Sequence, residues 1–195
     1  MKFGKVDNPE EVDFTIPKDH KDTKAVLEHS GKKDLKVYVG CAKWNRKDLK
    51  GFYPRGTKNE LEYYSSQFNS IELNATFYRL FAAEQFTKWG DTTPEGFKFF
   101  PKLGQDISHW RRLQDVEQLV EDYINNASHM GDKLGTIFLQ LHSNFAPEDL
   151  DRVRAFVKIW KYDTPLLSAY FIEKLNKKIG TDLAIPKTLE TKNQN

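Results

Sequence analysis

The chain has 195 residues, of which 38% are hydrophobic and 30% charged, with a formal net charge of +2. That length suits one sizeable domain and leaves a second cramped, and so small a charge gives no argument for extended nucleic-acid binding. No apolar run approaches the roughly 20 residues of a membrane span, residues 1–5 carry no signal-type apolar segment, and the single cysteine, Cys41, excludes an intrachain disulfide and any multi-cysteine metal site. A reducing cytoplasm is the expected compartment, and the 14 Phe, 8 Tyr and 4 Trp supply the apolar surface of a core.

Residues 1–34 are dominated by Lys, Asp, Glu and His and read as a polar lead-in, with a short helix over 21–29. The stretch 35–42 then rises into a β pattern and stops at Lys43, Trp44 and Asn45, before an aromatic loop over 51–56 punctuated by Gly and Pro. A helix is expected over 59–68, capped by Thr57 or Asn59, with Leu61, Tyr64 and Phe68 on one face. It leads into the most informative stretch, 70–79. As a strand this would carry Ile71, Leu73, Ala75 and Phe77 on one face and Glu72, Asn74, Thr76 and Tyr78 on the other.

The pattern repeats. A short helix over 82–89, a turn over 91–96 and a strand over 97–102 come next. A long connection, 103–113, holds Ser108, His109, Trp110, Arg111 and Arg112, and a helix follows over 114–130, its charged positions to Glu121 forming a solvated face. A turn over 131–135, a strand over 136–141 and a helix over 147–160 complete the series, and no simple sequence repeat or low-complexity run interrupts it. Four strand–helix alternations predict a parallel α/β sheet with right-handed crossovers. Either an open doubly wound sheet or part of an eight-stranded barrel satisfies that. Gly40, Cys41, Ala42, Lys43 and Trp44 form no dinucleotide fingerprint, and the polar strand favours a barrel, which presents its active groups at strand C-terminal ends.

On a strand of a helix-covered sheet, Glu72, Asn74 and Thr76 would be buried and would need partners. Glu72 is then a candidate acid/base or hydroxyl-binding group and Asn74 a ligand-orienting one, against the plainer expectation of a hydrogen-bonded layer filling the interior. Lys102, ending the third strand, is a candidate for anion binding or carbonyl activation, and equally for a partner of Glu72. His109, beside Arg111 and Arg112, belongs to a candidate anion-facing cluster. Trp44, Tyr53 and Tyr78 flank strand ends where rings can stack on a ligand, although packing is the commoner fate of such rings. Gln140 ends the fourth strand, facing a ligand or completing the polar layer. No metal site is expected, because His20, His29, His109, His129 and His142 show no zinc-type pairing, and Cys41 reads as a small buried thiol.

Several blocks of this chain resemble the YecE-like family, domain of unknown function 72. They are residues 39–44, 52–54 and 71–78, then Trp89, 93–99 with Lys102, 107–109 with Arg112 and Leu113, Leu134 with Gly135, and 138–141. Their order over about 36–160 is more specific than any one motif. The resemblance implies a TIM-type barrel and no established activity or cofactor. It strengthens His109, beside which Arg112 of the same cluster is a ligand-binding candidate. Two departures stand out: family members usually carry Pro where this chain has His142, and they continue past Trp160 into further strands, where residues 161–195 read as a divergent tail. The expectation is a polar lead-in (1–34), the first half of the barrel domain (35–160) and that tail, an apparent truncation to about four β/α units, shorter than the roughly 250 residues of a closed barrel.

The leading functional expectation is recognition of a small anionic or sugar-phosphate ligand with hydrolase- or isomerase-like acid/base chemistry. Glu72, Lys102 and His109 would be the catalytic candidates, and Trp44, Asn74, Tyr78, Arg112 and Gln140 would bind ligand. The alternatives are a non-catalytic nucleotide or nucleic-acid binding protein, weakly supported by charge, and an inactive remnant. No membrane partner is expected, and self-association is the expected way to cover open sheet edges.

Overall fold

The computed structural model describes residues 8–11, 13, 15, 18, 19, 21–29, 36–162, 164, 166 and 167. They divide after Val37 into two units. The first holds a helix, α1 (Thr23–His29), with a Lys24–Glu28 ion pair of 3.8 Å one turn apart on its surface.

The second unit is a succession of parallel strands and helices. Asn59 caps α2 (Glu60–Gln67) by accepting the Glu62 N–H, and Leu61 and Tyr64 are buried from this helix. Then come β1 (Ser70–Leu73), a helical turn α3 (Ala75–Tyr78), α4 (Ala83–Thr92), β2 (Lys98–Pro101) and α5 (Glu117–Ala127). They are followed by β3 (Ile137–Phe138), α6 (Leu150–Ile159) and β4 (Leu166–Leu167). β1 pairs with β2 and β3 with β4, both parallel, and parallel bridges Phe99–Leu134 and Lys102–Phe138 join the two pairs. The fold class is therefore mixed α/β with parallel strands, as the alternation predicts.

Register explains the core. Ile71 lies opposite Phe99 and Leu73 opposite Pro101, and all four are buried. Ile71, Leu73 and Phe99 meet Phe86, Phe97, Val120, Tyr123 and Ile137 in one apolar cluster. The other face of the pleat carries Glu72 opposite Phe100.

Three expectations are corrected. The strand over 70–79 stops at Leu73, because Asn74 turns: its N–H donates to Glu72 O at 3.1 Å and its own carbonyl takes the Phe77 N–H at 3.1 Å. The Thr76 hydroxyl then contacts Leu73 O at 2.8 Å, a local hydrogen bond that competes with the ladder. Glu72 is accordingly exposed and Asn74 half-buried, while Thr76 is buried at 0% exposure. Second, residues 36–42 of the strand expected over 35–42 form no ladder. One backbone bond, from the Glu72 N–H to Cys41 O at 3.1 Å, joins them to β1, while side chains serve the N–H groups: Tyr64 Oη accepts the Cys41 N–H at 2.5 Å, and Asn69 Oδ1 the Val39 N–H at 2.7 Å. Gly40 is required there, since a Cβ would stand 2.0 Å from Ser70 O. Third, Leu166 and Leu167, in the stretch expected to lack strands, form β4. The remainder of the expected tail and much of the lead-in lie outside the described residues.

Candidate functional site

Ligands of parallel α/β sheets bind beyond the carboxyl ends of the strands. Here the residue that follows β2 is Lys102, and three hydrogen bonds hold its backbone. Its N–H donates to Leu73 O at 3.2 Å, and its carbonyl accepts from Tyr123 Oη at 3.0 Å and, 2.8 Å away, shares the one proton of Thr76 Oγ1 with Leu73 O. Thr76 and Tyr123 are themselves buried, so the base of this lysine is fixed from beneath.

Its side chain is equally constrained. Nζ stands 4.2 Å from the centre of the Phe77 ring, within cation–π range, and donates to Gln140 Oε1. Gln140 reaches it because it lies two residues beyond Phe138, the bridge partner of Lys102, on the same side of the pleat. The opposing effects on the amine are burial, which lowers its pKa, and the Glu72 charge, which raises it; burial wins and the pKa falls below the ordinary lysine value.

Phe77 connects Lys102 to His109, whose ring centre is 4.8 Å from that of Phe77 and 5.2 Å from that of His142. His109 lies in a widened helical turn, Asp106–Trp110, and its Nδ1 is 2.9 Å from Ser108 Oγ. Burial, then the His142 and Lys102 charges, hold the imidazole below its ordinary pKa. The structure thus brings Lys102, His109 and Gln140 together through Phe77 beyond the carboxyl end of β2, a region we call the mouth, with Glu72 acting on the lysine.

The other expected site residues are differently employed. Asn74 begins the helical turn without a side-chain cap bond, and Tyr78 is 70% exposed, its ring edge-on to Phe77 at 5.2 Å. Trp44 packs edge-on against Trp89 at 5.9 Å, and its carbonyl accepts the hydroxyl of buried Tyr53. Arg112 does not join His109 in an anion-facing cluster; it pairs with Asp149 at 3.0 Å and lies 4.6 Å above Phe145. Arg111 donates to Asp115 O at 3.1 Å. These contacts hold a bend in which Arg112 and Leu113 adopt φ of 50° and 65°, the left-handed region costly for such side chains. Cys41 is half-buried.

Sequence reasoning missed Phe77, His142, Ser108 and Tyr123. Alternation puts Phe77 on the apolar face of a strand, and that strand ends before reaching it. The Ser108–His109 adjacency was visible, but the turn that aims the hydroxyl was not. Among the described residues no group of three or more His, Cys, Asp or Glu is placed to hold a metal ion, and no helix is long and apolar enough to cross a membrane.

The comparisons with known proteins agree with this architecture. The family model for a protein of unknown function, DUF72, matches residues 38–182. The YecE protein of Escherichia coli K12 is 28% identical over 124 residues, 62% of this chain and 43% of that protein. The YunF protein of Bacillus subtilis 168 is 36% identical over 78 residues, 39% of this chain and 27% of that one. The chain thus matches less than half the length of these curated relatives. A crystal structure of a DUF72 family protein from Enterococcus faecalis V583 has a TM-score of 0.58 at 18% identity, covering 73% of this chain and 55% of that chain. A second crystal structure of a DUF72 family protein from the same organism has a TM-score of 0.51 at 19% identity, with coverages of 61% and 52%. These two likenesses speak for the fold alone. On the family match, which takes in the mouth around Lys102, the chain belongs to the DUF72 family.

Proposed function

We propose that the mouth at Lys102 recognises a small anionic ligand, a sugar phosphate being the class that suits the groups around it. The observation that carries this reading is the seat of Lys102: a part-buried amine over the Phe77 ring, with the neutral Gln140 amide as its hydrogen-bond acceptor and two imidazoles close by. Glu72, the carboxylate acting on it, is exposed and its charge is screened by solvent. A phosphate oxygen at the mouth would offset the desolvation of the amine more directly than that carboxylate does.

In this reading the four parallel strands are the first units of a TIM-type barrel, and the face carrying Glu72 and Phe100 is its interior side. Tyr78 and Asn74 stand at the rim, Arg112 and Trp44 stiffen the surrounding walls, and Glu72 and His109 supply the acid/base groups for hydrolase- or isomerase-like chemistry. Calorimetric titration of the chain with inorganic phosphate and glycerol phosphate tests it. Binding that Lys102→Ala weakens at least tenfold, with the unfolding transition retained, is the expected result. Affinity unchanged in that variant sinks the reading.

A second reading, non-catalytic nucleotide or nucleic-acid binding, is favoured by Trp110 at 71% and Tyr78 at 70% exposure, the chain neighbours of His109 and Phe77. Exposed rings beside a cationic mouth suit base stacking. Binding of an oligonucleotide that weakens steeply with salt, and is lost in Trp110→Ala, would favour it over the sugar phosphate.

A further inference from the structure

Ser108 is fully buried, and its hydroxyl oxygen lies 2.9 Å from two partners, Gly104 O and His109 Nδ1. A hydroxyl has one proton to give. A carbonyl has none, and the Ser108 hydroxyl donates to Gly104 O. The backbone N–H groups of Ile107 and Ser108 also reach that carbonyl, at 3.2 and 3.1 Å, but neither lies between the two oxygens. The contact from Ser108 Oγ to the imidazole must then take its proton from the ring, so His109 carries hydrogen on Nδ1. The opposite assignment would set oxygen lone pairs against each other in a buried turn.

With hydrogen on Nδ1 the neutral ring keeps a lone pair on Nε2, for which no hydrogen bond is made among the described residues. Burial, His142 and Lys102 all favour the neutral ring.

We infer that Ser108 is a positioning residue that sets His109 as the Nδ1–H imidazole, making Nε2 a hydrogen-bond acceptor at the mouth, and that the ligand therefore presents a hydroxyl beside its anionic group. This rests on the anion reading above and narrows it. Lys102 takes the oxyanion, and His109, instead of adding a second positive charge, takes the hydroxyl proton in a hydrogen bond. A phosphorylated polyol fits, whereas a bare oxyanion leaves Nε2 unused.

Two measurements on the full chain test this separately. Long-range nitrogen–proton NMR, at about pH 8 where the ring is neutral, should show His109 protonated at Nδ1 in the wild type. Ser108→Ala should shift it toward the Nε2–H form. A wild-type ring protonated at Nε2 overturns the assignment, and needs no variant to fold. Glycerol phosphate should bind roughly five- to tenfold tighter than methyl phosphate, the worth of about one hydrogen bond. That advantage should vanish in His109→Phe, whatever the variant's affinity for methyl phosphate. Equal affinities in the wild type overturn the hydroxyl assignment and leave the anion reading standing. If neither phosphate binds, the anion reading falls and the inferred ligand with it, while the NMR result still decides the tautomer.

Discussion

The two faces of the β1–β2 pair are built on the same four registered positions and behave as different materials. On one, Ile71, Leu73, Phe99 and Pro101 are buried against the helices. On the other, Glu72 is exposed opposite half-buried Phe100, and the side chains beyond the strand ends are charged or polar. The first face holds the backbone still; the second uses that stillness. Lys102 shows how the two are coupled, because buried Thr76 and Tyr123 grip its carbonyl while its amine projects to the mouth. Precision at the mouth therefore derives from hydrogen bonds made behind it.

The comparison can be broken at several points. Phe99→Ala should have the largest effect, since its ring is fully buried, and should cost about 3–5 kcal/mol in denaturant unfolding. A loss below about 1 kcal/mol would mean that the packed face does not carry the stability. Tyr64→Phe comes next. Its hydroxyl donates to Ser70 O at 3.0 Å and accepts the Cys41 N–H, so removal should cost about 1–3 kcal/mol and speed amide exchange at Cys41.

Substitutions at the mouth should spare stability. Lys102→Met should change unfolding by less than about 1 kcal/mol, because the lost cation–π contact is set against the removal of a desolvated charge. Its phosphate affinity should fall at least tenfold, and a large stability loss with binding intact would invert the contrast between the faces.

His109 gives a test by pH. Its folded pKa lies below its unfolded value, so as pH falls through the ordinary histidine range the unfolded chain takes up a proton that the folded chain refuses. Stability should therefore decline from about pH 7 toward the folded pKa, and His109→Gln should flatten that decline. Identical slopes would show that the ring does not feel the mouth. Glu72→Gln should have the smallest effect, within about 0.5 kcal/mol of wild type, because the carboxylate is exposed. By removing negative charge near Lys102 it should tighten phosphate binding slightly, and weaker binding would show that Glu72 holds the ligand as well as serving as an acid/base group.

Much of this organisation was legible before any coordinates. Asn59 announces α2 because a side-chain acceptor there satisfies an orphan N–H, and the apolar spacing of Val120, Tyr123 and Ile124 announces the buried stripe of α5. Lys102 and Gln140 stand out in the sequence because each ends an expected strand, and the structure brings the two into contact. The rest depended on competition between local and long-range hydrogen bonds. Alternation across 70–79 suggested a long strand, yet Asn74 and Thr76 bond locally and turn the chain after Leu73. Likewise 38–41 has strand composition, but Tyr64 and Asn69 occupy its hydrogen-bonding positions with side chains.

Backbone periodicity alone dictates the alternating parallel architecture and its helix faces. The tertiary structure alone decided that Glu72 lies open, that Arg112 is spent on Asp149, and that Phe77 and His142 stand beside Lys102 and His109. Those outcomes turn on which distant groups reach one another, and no repeating interval along a chain encodes that.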